Sequence, residues 1–117
     1  MSFEEIVNAV SGQVIIYGKY SGYRNVSTDT RKIEKKDIFI ALKGERFNGN
    51  KYAANASDKG ASICIVDEVY FKESEINGCT SVIQVKDGNQ ALLDLAEFYK
   101  SKLNVKVIGI TGSAGKT

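Results

Sequence analysis

The chain contains no histidine, no proline and no tryptophan, and only two cysteines, Cys64 and Cys79, set far apart. Without histidine, imidazole general bases, serine–histidine triads and histidine-ligated zinc are all excluded within these residues. Two distant cysteines form neither a disulfide framework nor a metal motif. Cys64, inside "ASICIV", reads as a small buried hydrophobe. No apolar run approaches the ~20 residues needed to span a bilayer. Met1 leads into an acidic amphipathic segment rather than a basic and apolar leader, so the sequence predicts a cytoplasmic protein without a membrane partner. The charge is nearly balanced, 16 basic against 14 acidic residues, which gives no field suited to nucleic acid. The densest basic stretch, "RKIEKK", carries a glutamate in its middle and reads as a solvated turn.

Apolar material is plentiful: 43% of 117 residues are hydrophobic, enough for one packed domain. "SFEEIVNAVSG" predicts a helix with Ser2 and Glu5 as a capping box and Gly12 as its stop. "QVIIY" (13–17) reads as a strand, and Val26 closes a short one. "DIFIAL" (37–42) and "ASICIV" are near-continuous apolar runs, the pattern of strands buried on both faces. Between them "KYAANASDKG" fits a helix ending at Gly60. "SVIQV" (81–85) is another strand. Asp87 is placed to cap "GNQALLDLAEFYKSKL", and "VKVIGI" (105–110) reads as a closing strand. Strands alternating with helices predict an α/β fold with largely parallel pairing. The best boundary is at 86/87, giving a first body over 1–86 and a helix, strand and loop over 87–117.

Two stretches carry chemistry. "GITGSAGKT" ends with glycines, a lysine and a hydroxyl in the order that lets backbone N–H groups cradle a phosphate, with the lysine as a point charge and the hydroxyl toward magnesium. It is a shortened variant, since Ile110 stands where the general loop wants its first glycine. The alternative is a strand followed by a Gly-Ser turn. "STDTRKIEKKDIFIALKGERFNGN" (27–50) begins with hydroxyl and carboxylate groups that bond nearby backbone. It continues with Arg31, a fork suited to carboxylate or phosphate, and then a loop after a buried strand, where ligands of α/β sheets bind. The alternative here is an Asx turn and a surface loop.

Together these two stretches resemble the Mur ligases, the ATP-dependent amino-acid-adding enzymes of peptidoglycan synthesis. That family's front segment runs D-[ST]-R, then G-D-[LI]-F-x-A-[LI]-x-G, often followed by D-G-H. Its phosphate loop is shortened in the same way. "DIFIALKGERF" with "GITGS" is most similar to the member that adds D-alanyl-D-alanine to UDP-N-acetylmuramoyl-tripeptide; the member that adds the third amino acid is the neighbouring alternative. Lys36 departs from the usual glycine, a change expected to be harmless at a turn. Asn48-Gly49-Asn50 replaces D-G-H, so the usual acid and histidine are missing.

The resemblance implies a small N-terminal Mur-ligase-type domain with a mixed or parallel sheet, followed by the helix and strand that open a truncated P-loop domain. It implies that Thr28, Asp29, Thr30, Arg31, Glu45, Arg46 and Phe47 serve the uridine nucleotide, with Asp29 and Arg31 bracing their loop. Gly112, Ser113, Gly115, Lys116 and Thr117 would belong to the ATP site, Thr117 also to Mg2+. No catalytic residue is assigned. ATP would phosphorylate the substrate carboxylate and the amine would attack the acyl phosphate. The chain is expected to be inactive alone and to bind no cofactor tightly, because the helix that follows such a loop is missing. Readings from other classes are a protein-interaction module, self-associating through the apolar faces of "ALLDLAEFYKSKL" and "VKVIGI", and a general P-loop ATPase fragment.

Overall fold

The computed structural model describes the backbone of residues 3–19, 22–45 and 48–111, and side chains up to residue 100. Among these residues, helix α1 (Phe3–Ala9) is followed by β1 (Gln13–Ile16), β2 (Val26–Ser27) and β3 (Ile38–Ile40). Then come α2 (Ala53–Asp58), β4 (Ile63–Val66), β5 (Ser81–Gln84) and α3 (Gly88–Thr111). Short 3-10 turns at Thr30–Lys32, Gly49–Tyr52 and Glu73–Glu75 punctuate the connections.

The strands form one mixed sheet in the order β1-β5-β4-β3-β2. β2, β3, β4 and β5 run parallel, and β1 lies antiparallel to β5. The chain therefore crosses from one edge of the sheet to the other between β1 and β2. The apolar runs of β3 and β4 are continuous because both faces are covered. Ile38, Ile40, Ile63, Ile65 and Ile83 face α1 and α3, where they meet Ile6, Val10, Ala91 and Leu95. The alternate residues Phe39, Ala41, Cys64, Val66 and Val82 pack with Ala53 and Ala56 of α2. This is a three-layer α/β/α sandwich, as the alternation of elements predicts.

Helix ends are set locally. The Asp87 carboxylate accepts the backbone N–H of Asn89 at 2.9 Å, the predicted cap of α3. α2 closes with Gly60 at φ 97°; Gly60 N–H donates to Ser57 O and Ala61 N–H to Ala56 O, at 2.9 and 3.1 Å. That pair of bonds is the Schellman arrangement. α1 ends the same way, but Ser11 at φ 53°, rather than Gly12, takes the left-handed position. The Ser2 cap lies outside the described residues.

Two further expectations are corrected. The segment 105–110 is not a strand: α3 continues to Thr111. No strand of the sheet pairs with these residues, and a continued helix satisfies the backbone N–H and C=O groups within the segment. The helix expected over 51–60 is shorter, because Asn48 caps a 3-10 turn with its side chain before α2 begins at Ala53. Within α3, Ala91 and Leu95 are buried against the sheet, while Leu93 and Tyr99 are exposed. No helix among the described residues is long and apolar enough to cross a membrane.

Candidate functional site

The loops after β2, β3 and β4 emerge together at the carboxyl ends of parallel strands, where open α/β sheets take ligands. The loop after β2 is organised by its own short side chains. Ser27 Oγ accepts the Asp29 N–H at 3.2 Å. Asp29 Oδ1 caps the 3-10 turn by accepting the Arg31 N–H at 2.9 Å. The same carboxylate takes the Arg31 fork, Nε at 3.1 Å and Nη2 at 3.0 Å. The Arg31 guanidinium accordingly holds the Asp29 carboxyl below its ordinary range.

Thr28, Asp29, Thr30 and Arg31 line one cleft of about 510 Å³, together with Phe39 and Tyr52. A second hollow of about 410 Å³ shares Thr30, Arg31 and Tyr52 and extends past Asn55 and Asp58 to Lys59. Lys59 Nζ donates to Thr30 O at 2.6 Å, which fixes α2 against the loop after β2. The site thus joins hydroxyls, two cations, two carboxylates and an exposed aromatic ring. Tyr52 and Lys59 are absent from the sequence-based site. Tyr52 lies just past the Asn-Gly turn, and only the parallel pairing of β2 with β3 brings it beside Thr30.

The loop after β3 is a narrow hairpin. Lys43 and Asn48 form an antiparallel bridge at its stem. Its tip includes Glu45, exposed and without a described contact to the cleft; Arg46 and Phe47 lie outside the described residues. The stem is clamped by Glu68, which sequence reading passed over as part of a looser stretch. Glu68 accepts Lys43 Nζ at 2.6 Å, Tyr70 OH at 2.7 Å and Asn48 Nδ2 at 2.8 Å. Lys43, Tyr70 and Asn48 in that order hold the Glu68 carboxyl down at about 2. The substitution of Asn48 and Asn50 for the family's acid and histidine also has a visible use. Both side chains bond within the protein rather than facing the cleft.

Gly112, Ser113, Gly115, Lys116 and Thr117, including the magnesium position at Thr117, lie outside the described residues. Among the described residues no group of three acidic or thiol side chains is arranged to hold a metal ion.

The fold is a small α/β/α domain with a polar cleft at the ends of its parallel strands. The chain belongs to the Mur ligase family: the family model described as the Mur ligase family catalytic domain matches residues 22–100. It is 37% identical, over its whole length, to the UDP-N-acetylmuramoyl-tripeptide–D-alanyl-D-alanine ligase of Treponema pallidum. Over 96% of the chain it is 38% identical to the enzyme of the same name in Bacillus subtilis. It is also 33% identical, over its whole length, to the UDP-N-acetylmuramoyl-L-alanyl-D-glutamate–2,6-diaminopimelate ligase of Clostridium perfringens. The chain spans 27%, 22% and 24% of those three relatives. Among solved structures it is similar to MurF from Acinetobacter baumannii, with a TM-score of 0.70 and 26% identity over 85% of this chain and 21% of that one.

Proposed function

We propose that this chain is the uridine-nucleotide recognition module of an ATP-dependent peptidoglycan-precursor ligase. In this reading the whole enzyme adds D-alanyl-D-alanine to UDP-N-acetylmuramoyl-tripeptide in the cytoplasm. The observation that carries the reading is the cleft that gathers Thr28, Asp29, Thr30 and Arg31 with Tyr52, in a chain whose family acts on UDP-linked substrates. Residues 1–86, with the start of α3 packed on their sheet, form the recognition body, and the chain beyond leads toward an ATP-binding domain.

The chemistry of the donors supports distinct roles. Thr28 and Thr30 offer hydroxyls to the uracil and ribose, Tyr52 offers a ring face, and Arg31 and Lys59 offer charge to the diphosphate. Asp29 orients Arg31 and stiffens the turn, so the cleft is organised before the ligand arrives. Glu45, Arg46 and Phe47 are assigned to the same uridine site by the family motif they match. Glycine N–H groups, a lysine and a hydroxyl at 112–117 are the donor set that a triphosphate and Mg2+ require. Bound ATP would supply the phosphoryl group that activates the substrate carboxylate. The chain's own part is to hold and orient the uridine end of the substrate, and alone it is expected to be catalytically inactive.

The alternative, a ligase adding the third amino acid, is favoured by the diaminopimelate ligases among the relatives. The test is an amide NMR titration with UMP, UDP-N-acetylmuramoyl-tripeptide and Mg-ATP. Shifts at residues 28–31 and 52 with both uridine ligands and none with ATP are expected; silence with every ligand would refute the module. Turnover of the whole enzyme with D-alanyl-D-alanine against diaminopimelate separates the two ligases.

A further inference from the structure

Asp67, at the end of β4, bonds two elements that are distant in sequence. Its Oδ1 accepts Asn50 Nδ2 at 2.6 Å, and its Oδ2 accepts the backbone N–H of Gly88, the first residue of α3, at 3.0 Å. Asn50 is fully buried and has every polar atom engaged. Its Oδ1 accepts the N–H groups of Asp67 and Glu68 at 3.0 and 3.2 Å, and its Nδ2 also donates to Asn48 Oδ1 at 2.8 Å. Gly88 has no slack either, since a Cβ there would sit 2.2 Å from Ala41 O at the end of β3. The turn that presents Tyr52 to the cleft and the first residue of α3 are therefore set by opposite oxygens of one carboxylate.

We propose that Asp67 is a positioning residue that registers the substrate cleft against the start of α3, through the chain Asn50–Asp67–Gly88. The functional part rests on the uridine reading above: a ligand that presses on Tyr52 and its turn displaces Asn50, and the displacement reaches the helix that leads out of the recognition body. A carboxylate suits the post because both its oxygens accept and both its neighbours donate. An asparagine at 67 would leave its NH2 facing one of two N–H donors, and an aspartate at 50 would set two carboxylates together.

The experiment is hydrogen exchange and amide NMR on the 117-residue chain carrying Asp67→Asn, Asn50→Asp, or both. The double exchange restores one N–H···O bond between positions 50 and 67 with the polarity reversed and leaves an acceptor for Gly88, while the bond from position 50 to Asn48 Oδ1 stays lost. Each single variant is expected to speed exchange at least tenfold, relative to the Ile65 amide, either at Gly88 or at the residue 67 and 68 amides that Asn50 Oδ1 accepts, and the double variant to recover part of that protection. Exchange in Asp67→Asn unchanged both at Gly88 and at residues 67 and 68, uniform acceleration across the β4 amides, or a double variant no better than the singles would overturn the proposal. These measurements need no ligand, so they stand if uridine nucleotides do not bind. With UMP, a shift of Gly88 that vanishes in Asp67→Asn supports the coupling. UMP shifts at residues 28–31 without one at Gly88 overturn the coupling alone, and no UMP shift anywhere removes only the uridine reading.

Discussion

Asp29 turns the guanidinium of Arg31 back onto its own loop, meeting Nε at 3.1 Å and Nη2 at 3.0 Å while capping the turn at Arg31 N. The arginine is thus parked rather than free, and its outer N–H edge is what remains for a phosphate. Asp29→Asn is expected to weaken UMP binding while leaving the sheet intact, with both effects read from one NMR titration. The Asp29 carboxyl is held below its ordinary value by Arg31. Its contribution to stability is therefore present above the unfolded value and lost as pH falls through the lower folded one. The stability difference between wild type and Asp29→Asn should shrink in acid; a difference that grows in acid would contradict the brace.

Glu68 provides a second acid-sensitive contact with a defined window. Its carboxyl titrates at about 2 in the fold against 4.5 for the ordinary group. The clamp on Lys43 and Asn48 contributes fully above the upper value and disappears as pH falls through the lower one. The Glu68 side-chain carbon resonance should titrate near pH 2. In Glu68→Gln the amides of Lys43 and Asn48 should exchange faster at neutral pH, and that excess should vanish below pH 2.

Lys36 occupies a left-handed backbone position, φ 73°. Its N–H donates to Gly60 O at 2.8 Å and its C=O accepts Arg24 N–H at 2.9 Å, so the conformation is held by neighbours on both sides. The departure from the family's glycine is not neutral, contrary to expectation. A side chain there costs about 1–2 kcal/mol, partly offset by the greater unfolded-state freedom of glycine. Lys36→Gly is expected to stabilise the chain by about 0.5–1 kcal/mol, measured by urea denaturation at pH 7.

Gly88→Ala should act in the opposite sense. The new methyl would meet Ala41 O at 2.2 Å, which forces backbone movement at the start of α3. A loss of about 1–3 kcal/mol is expected, the range for overpacking a tight site. A thermal melt within 1 °C of wild type (well under the shift that about 1 kcal/mol produces) would show that the helix start is looser than its geometry.

The two cysteines should differ sharply in reactivity. Burial pushes the Cys64 thiol up to about 12, whereas Cys79 is exposed. Iodoacetamide at pH 8 should leave one adduct per folded chain, at Cys79, with Cys64 modified only after unfolding. Peptide mass spectrometry decides it.

The five strands and their order of appearance were legible because apolar runs such as "DIFIAL" and "ASICIV" have no competing period. Asp87 was legible as a cap because its bonds are local. The cleft was half legible. Thr28, Asp29, Thr30 and Arg31 belong to one turn, but Tyr52 and Lys59 reach them only through the pairing of β2 with β3 and the docking of α2. Asp67 and Glu68 were missed because "VDEVY" has no periodicity, and its partners lie about 20 residues away in the chain, at Asn48, Asn50 and Gly88. The end of α3 was misread because "VKVIGI" has strand composition, while a strand also needs a partner that no residue run can supply by itself.

β1 and β2 are the outermost strands, and both come from the first 27 residues, while the strands between them come from residues 38–84. One short stretch therefore shields both borders of the sheet. A single proteolytic cut that frees it would bare the backbone of β3 on one side and β5 on the other, two templates for strand addition at once. The opening of the chain, which contributes no lining residue to the cleft, thus guards both inner borders of the sheet against strand addition.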